Sequence, residues 1–171
     1  MDEAVLNRDL CDAAIAGGGW SYKIVDATAS TARSSSKRPF DGFAVLPGAI
    51  EIKFESKLLK GYQAFALDRV APHQYDNLRE IARLGAKAWV TLGVWEAHHF
   101  LDIFTFDICL LWDLKESGIK SINKKQLLSL KERGLFVPTL KRKKDDPFIL
   151  QEIIPKLISS HEELEGQGVH S

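Results

Sequence analysis

Four charged residues alternate along one short stretch of the sequence, "AIEIKFESK" at 49–57. Glu51 and Lys53 come first, and Glu55 and Lys57 repeat the same order two residues later. Because successive side chains of a strand point to opposite faces, all four charges would share one face. A solvated face would account for them, since exposed ion pairs add little stability. At this spacing the carboxylate could also bind a divalent metal, and the lysine could stabilise negative charge.

Asp41 favours the chemical explanation of this stretch. It begins the β-rich run "DGFAVL", which a Pro-Gly turn joins to the charged strand, and this pattern predicts a hairpin. With a loop of odd length centred on that turn, Asp41 would lie opposite residue 53 or 55, on the charged face. Carboxylates on neighbouring strands can hold Mg²⁺, and a lysine two residues on can stabilise charge or assist proton transfer. The hairpin therefore predicts a metal site formed by Asp41 with Glu51 or Glu55.

The elements around the hairpin follow an α/β order. In chain order the patterns predict a helix over 3–16, a strand at 20–25, the hairpin, a helix from Pro72 towards Gly85, an apolar strand "KAWVTLGVW", a strand and helix within 100–114, and an amphipathic helix ending at Gly134. This order predicts an α/β fold with a central mixed β-sheet flanked by helices. We expect a single domain over 1–150, in which 26–40 form a short basic loop, and a C-terminal helix with a polar acidic tail over 151–171.

Composition narrows the classes of protein. The chain of 171 residues is 45% apolar and 27% charged, with a formal net charge of zero. It has no apolar run long enough to span a membrane, and its acidic N-terminus is unlike a signal peptide. Cys11 and Cys109 are isolated, which argues against structural zinc and favours a cytoplasmic location. Basic residues outnumber acidic ones by 22 to 17 over 1–144, so local phosphate binding is compatible with the neutral total.

Two sets of motifs resemble known nucleases. "PFDGF…AIEIKFESK" resembles the PD-(D/E)xK nuclease superfamily. The segments that follow resemble RecU-type Holliday junction resolvases, including phage relatives: Phe65-Ala66-Leu67, His73-Gln74, Gly85 to Val94, and Lys120-Ser121-Ile122. The resemblance covers roughly residues 3–125. It implies a restriction-endonuclease-like core, Mg²⁺-dependent resolution of four-way DNA junctions with Mn²⁺ as a substitute, a homodimer, and a bacterial or phage-infected cell.

The resemblance also assigns roles within the charged strand. The family's strand reads Ile-Glu/Asp-Phe-Glu-Ala-Lys, and "IKFESK" overlays it so that Glu55 and Lys57 would be active. The alternative pair, Glu51 and Lys53, is similar in spacing to phage λ-type exonucleases. Asp41 and one of the two glutamates would bind the metal. The Ser56 backbone carbonyl would add a ligand.

Further residues are implied by the same resemblance. "EAVLN" is similar to the family's Glu-x-x-Leu-Asn, which gives Glu3 a supporting role, and Gln74 matches a glutamine that supports the site. The side chains expected to contact DNA are Arg33, Lys37, Arg38, Arg69 and His73. Residues 26–40 are shorter than the protruding stalk of the family. Two alternatives stay open: an exonuclease or repair nuclease of the same superfamily, and a catalytically inactive DNA-binding scaffold.

Overall fold

A six-stranded sheet carries the charged hairpin near its centre. The computed structural model describes residues 2–16, 18–24, 38–97, 99–132 and 137–139. The elements in chain order are helix α1 (Glu3–Ala16), strands β1 (Trp20–Lys23), β2 (Gly42–Leu46), β3 (Ile50–Lys60) and β4 (Phe65–Ala66), a 3₁₀ turn (Leu67–Arg69), helix α2 (Pro72–Arg83), strands β5 (Lys87–Glu96) and β6 (His99–Asp107), helix α3 (Ile108–Glu116), strand β7 (Ser121–Ile122), helix α4 (Lys124–Glu132) and strand β8 (Val137–Thr139).

The strand order of the sheet is β1-β2-β3-β5-β6-β8. Strands β3 and β5 run parallel, and the other neighbouring pairs are antiparallel. The chain crosses from β3 to β5 through α2, which is the connection that a parallel pair requires. This arrangement confirms the predicted α/β fold with a mixed sheet flanked by helices. In the hairpin Gly42 pairs with Phe54 and Leu46 with Ile50, so the loop is centred on Gly48.

Helices cover both faces of the sheet. On one face α1 packs Leu6, Leu10 and neighbouring alanines against a cluster that includes Ile52 and Phe54. On the other face α2 and α3 bury Tyr75, Leu78 and Leu111 against β5. The solvated alternative for the charged face of β3 does not hold at Glu55 and Lys57, which are both buried. The reason is that α2 returns over β3 and β5 on that face.

Short pairings account for the other differences from the sequence prediction. Strand β4 was not predicted from the sequence, and it pairs with β7 over two residues. Strands this brief show no periodicity, and β7 and β8 were missed for the same reason. The predicted tail over 151–171 and most of the basic loop lie outside the described residues. No helix within the described ranges is long and apolar enough to cross a membrane.

Candidate active site

The site forms where β2 begins and β3 continues beyond it. The backbone N–H of Asp41 donates to the carbonyl of Phe54 at 3.0 Å, which holds the start of β2 against β3. Gly42 makes this close approach possible, because a Cβ atom there would lie 2.6 Å from the ring of Phe54. The carboxylate of Asp41 is thereby directed at the part of β3 that has no β2 partner, residues 55–57.

Asp41 is buried, and its two carboxylate oxygens have separate partners. Oδ2 accepts a hydrogen bond from the backbone N–H of Ser56 at 3.0 Å. Oδ1 lies 3.4 Å from the guanidinium of Arg38, which also donates to the carbonyl of Ile24. In a strand the N–H and C=O of one residue point to the same side. The Ser56 carbonyl, predicted as a metal ligand, therefore faces the side on which Asp41 lies.

Glu55 is the most deeply buried acid of the site, with 2% of its surface exposed. Its Oε1 atom accepts hydrogen bonds from Lys57 Nζ and, at 2.6 Å, from Gln74 Nε2. Its Oε2 atom is buried and has no hydrogen-bond partner among the described residues. Burial, as the largest cause, and the charge of Asp41 raise the pKa of Glu55 to about 7, although Lys57 opposes the shift. Glu3 adds a small upward contribution, so α1 brings this acid within electrostatic range.

Gln74 is fixed by the start of α2. Its Oε1 atom accepts a hydrogen bond from the backbone N–H of Ala71 at 2.9 Å, which satisfies a donor that precedes the helix. This bond leaves the NH₂ group to face Glu55, because an amide presents its oxygen and its nitrogen in different directions. Gln74 thus caps the N-terminus of α2 and donates a hydrogen bond to the Glu55 carboxylate.

The residues present fit a hard divalent cation. Asp41 and Glu55 are two buried carboxylates on neighbouring strands, and Glu55 Oε2 is an acceptor without a donor among the described residues. Leaving such an atom unsatisfied costs about 1–3 kcal/mol, and a cation would satisfy it. The described residues contain no cluster of three or more histidine, cysteine or acidic groups placed to hold a metal. One or two carboxylates with water and phosphate oxygens are sufficient for Mg²⁺.

The alternative pair has a different environment. Glu51 has 57% of its side chain exposed and lies 2.5 Å from Lys53. That hydrogen bond lowers the pKa of Glu51. Glu51 pairs with Val45 near the far end of the hairpin, so the structure brings Asp41 together with Glu55 and not with Glu51.

The predicted DNA-contacting residues are placed unevenly. Arg38 lies at the site through its contact with Asp41. Arg69 is exposed above the ring of Phe65, with 5.8 Å between the guanidinium and the ring centre, and His73 is half-buried in the first turn of α2. Arg33 and Lys37 lie outside the described residues.

Asn7 is a residue of the site to which the sequence prediction gave no role. It is buried on α1, and its Oδ1 atom accepts a hydrogen bond from Ser56 Oγ. The bond crosses to the α1 face of the sheet, because Ser56 points away from the face that carries Glu55 and Lys57. A signal was present, since Asn7 ends the "EAVLN" motif and lies four residues after Glu3, on the same side of the helix.

Comparisons with known proteins give a likeness in structure but none in sequence. No protein-family model matches the sequence, and no curated protein matches it. Among solved structures, the chain is similar to Hjc, a Holliday junction resolvase from the archaeal hyperthermophile Archaeoglobus fulgidus. The TM-score is 0.40 at 20% sequence identity, and the match covers 60% of this chain and 76% of that one.

Proposed function

We propose that this protein is a Mg²⁺-dependent endonuclease that resolves four-way DNA junctions by phosphodiester hydrolysis. One observation carries the proposal: Asp41 and Glu55 are buried side by side next to Lys57, and Glu55 Oε2 is left without a hydrogen-bond donor among the described residues. Two acids and a lysine in this arrangement suit hydrolysis of a phosphodiester better than they suit a stable core. The preference for junctions is supported by the order of motifs that follow the hairpin.

The side chains of the site divide the chemical work. Asp41 and Glu55 would hold Mg²⁺, or Mn²⁺ in its place, together with the Ser56 carbonyl. When bound, the cation would supply charge stabilisation at the phosphate and a more acidic water. Lys57 would stabilise the negative charge that develops on the phosphate or assist the transfer of a proton from the attacking water. Gln74 would keep Glu55 Oε1 in place, and Glu3 would add negative charge near the metal.

Junction resolution also requires two sites. Paired nicks in two strands of opposite orientation call for two active sites related by a two-fold axis, which a homodimer supplies. Arg38 lies beside Asp41 and would contact a phosphate next to the cleaved bond, and Arg69 and His73 would contact the backbone further along. Such contacts favour recognition by shape over reading of bases.

A cleavage assay tests the proposal directly. A labelled synthetic junction whose branch point cannot migrate and a linear duplex are incubated with wild type, Asp41→Asn and Asp12→Asn, in Mg²⁺ or in EDTA. Asp12 is an exposed acid on α1 and serves as the control. We expect paired symmetric nicks in the junction that require Mg²⁺, survive Asp12→Asn and disappear with Asp41→Asn.

Other outcomes identify the alternatives. Progressive loss of nucleotides from the ends of the linear duplex would replace the resolvase with an exonuclease. Tight junction binding by wild type, with no cutting in either Mg²⁺ or Mn²⁺, would identify a DNA-binding scaffold.

A further inference from the structure

Three aromatic side chains form a patch at the outer strands of the sheet, which we call the aromatic face: Trp20, Tyr22 and Phe43. Trp20 and Tyr22 have 54% and 51% of their surface exposed. Their rings are nearly parallel, at 12° with 6.3 Å between centres, and Phe43 meets the ring of Trp20 edge-on at 5.2 Å. Exposed rings of this size are uncommon without a partner, because each keeps a large apolar surface in water.

The aromatic face shares one side of the sheet with the candidate active site. Tyr22 pairs with Phe43, and Phe43 pairs with Lys53, so these three side chains point to the same side. Lys53 and Glu55 are two residues apart on β3 and also share that side. Tyr22 therefore lies two strands, or about 10 Å, across the sheet and about 7 Å along it from Glu55.

Packing explains why this part of the sheet is accessible. Helix α1 lies against β1 and β2 on the opposite face, while α2 packs on β3 and β5. The aromatic face thus lies on the side of the sheet that carries Asp41, Glu55 and Lys57, and it extends that side towards the β1 edge. A positive charge borders the aromatic face, because Lys53 Nζ lies 5.7 Å from the centre of the Phe43 ring.

We propose that the aromatic face stacks unpaired bases of the DNA strand that enters the site. This inference rests on the proposed function and adds a substrate feature to it: unpaired nucleotides close to the cleaved phosphate. Every base has a flat face that stacks on tryptophan or tyrosine, and such a platform tolerates any sequence. Lys53 at its border would meet the phosphates between the stacked bases.

A second copy of this chain is the other occupant that the surface could accept. The cores of protein–protein interfaces are depleted in charged residues. Here Lys53 lies opposite Phe43 and pairs with the exposed Glu51, and the same side of the sheet carries two buried carboxylates and a buried lysine. This polarity favours a strand of nucleic acid.

Binding measured in EDTA tests the proposal without any cutting. The probes are a labelled duplex with a gap of several unpaired nucleotides and the same duplex without the gap. The variants are Trp20→Ala and Tyr22→Ala, and the control is Ile15→Ala, an exposed apolar residue of α1 on the other face. Stacking of one base is worth about tenfold in affinity or more. We expect each ring variant to lose about tenfold on the gapped probe and less than twofold on the continuous duplex, with Ile15→Ala unchanged.

A second measurement separates stacking from a general loss of structure. Oligothymidylate should quench the tryptophan fluorescence of wild type, and Trp20→Phe should lose most of that quenching while keeping most of its affinity for the gapped probe. Because the rings carry no charge, the ring variants should also leave the salt dependence of binding unchanged.

Several results would overturn the inference. These are no binding of the gapped probe by wild type, equal losses on both probes, or a halved mass in light scattering for Trp20→Ala with unchanged DNA binding. The last result would assign the aromatic face to a dimer interface. If wild type prefers the gapped probe through Trp20 but cuts no DNA in Mg²⁺, the proposed function fails while stacking stands.

Discussion

Strand β3 contains the same Glu-x-Lys pattern twice, and the two copies have opposite environments. Glu51 and Lys53 point to the same face as Glu55 and Lys57, only four residues away. Yet Glu51 is 57% exposed, whereas Glu55 is 2% exposed. The pKa of Glu51 is lowered by its lysine, and the pKa of Glu55 is raised by burial to about 7.

The difference comes from what lies on either side of the strand. The first copy lies within the hairpin, where β2 pairs with β3 and no helix of the described ranges covers its charged face. The second copy lies beyond the start of β2, where Asp41 approaches from one side and Gln74 from above. Burial and a neighbouring carboxylate, and not the residue pattern, make one copy suited to chemistry.

The most severe test of this comparison replaces Glu55 and Glu51 by glutamine in two separate variants. Glu55→Gln should lower the rate of Mg²⁺-dependent junction cleavage by about 10³-fold, because it removes the charged oxygen that is available to a metal. Glu51→Gln should change the rate less than threefold, since an exposed ion pair contributes little. Single-turnover cleavage rates measure both. Equal losses in the two variants would remove the distinction between the copies.

Replacement of each lysine by methionine, in two separate variants, sharpens the comparison. Lys57→Met should lower the cleavage rate by about 10²-fold, while Lys53→Met should leave it within a few fold. Lys57→Met should also move the pH–rate profile to higher pH, because the charge of Lys57 holds down the pKa of Glu55. A profile that shifts with Lys53→Met and not with Lys57→Met would assign the functional lysine to the other copy.

Stability without metal should depend on pH through Glu55. Between pH 4.5 and about 7 the folded protein keeps a proton on Glu55 that the unfolded chain has released. The unfolded chain binds fewer protons in this range, so the free energy of unfolding should fall as pH rises. One pKa unit corresponds to about 1.4 kcal/mol, which gives a decrease on the order of 3 kcal/mol.

Urea denaturation in EDTA across this range measures the decrease. Glu55→Gln should flatten it, and Glu51→Gln should preserve it. A wild-type curve that matches the Glu55→Gln curve would mean that Glu55 is ionised in the folded protein at all of these pH values.

The smallest expected effect concerns the close approach of β2 to β3 beside Glu55 and Lys57. Gly42→Ala places a methyl group against the ring of Phe54 and should cost about 1–3 kcal/mol of stability. It should also slow cleavage by moving Asp41 away from Ser56. Chemical denaturation and cleavage rates measure both effects. Phe54→Leu combined with Gly42→Ala should recover part of each loss, and recovery of neither would exclude the contact with Phe54 as their cause.

The sequence contained enough to predict the hairpin and the fold class. Alternation of Ile52 and Phe54 with charged residues, and the Pro-Gly turn, defined β2 and β3 with the correct pairing. The apolar run of β5 predicted a buried strand. Local patterns of this kind are visible in a single sequence because each element repeats its own period.

Other features depended on contacts between distant parts of the chain. Burial of Glu55 and Lys57 follows from the return of α2 over β3, which no pattern within β3 can reveal. The exposure of Trp20 could not be predicted from the sequence either, since an aromatic residue in a short strand is usually expected in a core. The roles of the site residues remain predictions until the variants are measured.

The hydrogen bond between Asn7 and Ser56 has a practical consequence for engineering. It lies on the α1 face, so loss of the bond reaches Glu55 and Lys57 through the backbone of β3, whereas Asn7→Asp would also add a charge on that face. Under the proposed function, a series such as Asn7→Asp, Asn7→Ser and Asn7→Ala would form a graded set of nucleases with the same proposed DNA contacts. Such a set would let the turnover of the protein be adjusted independently of what it binds.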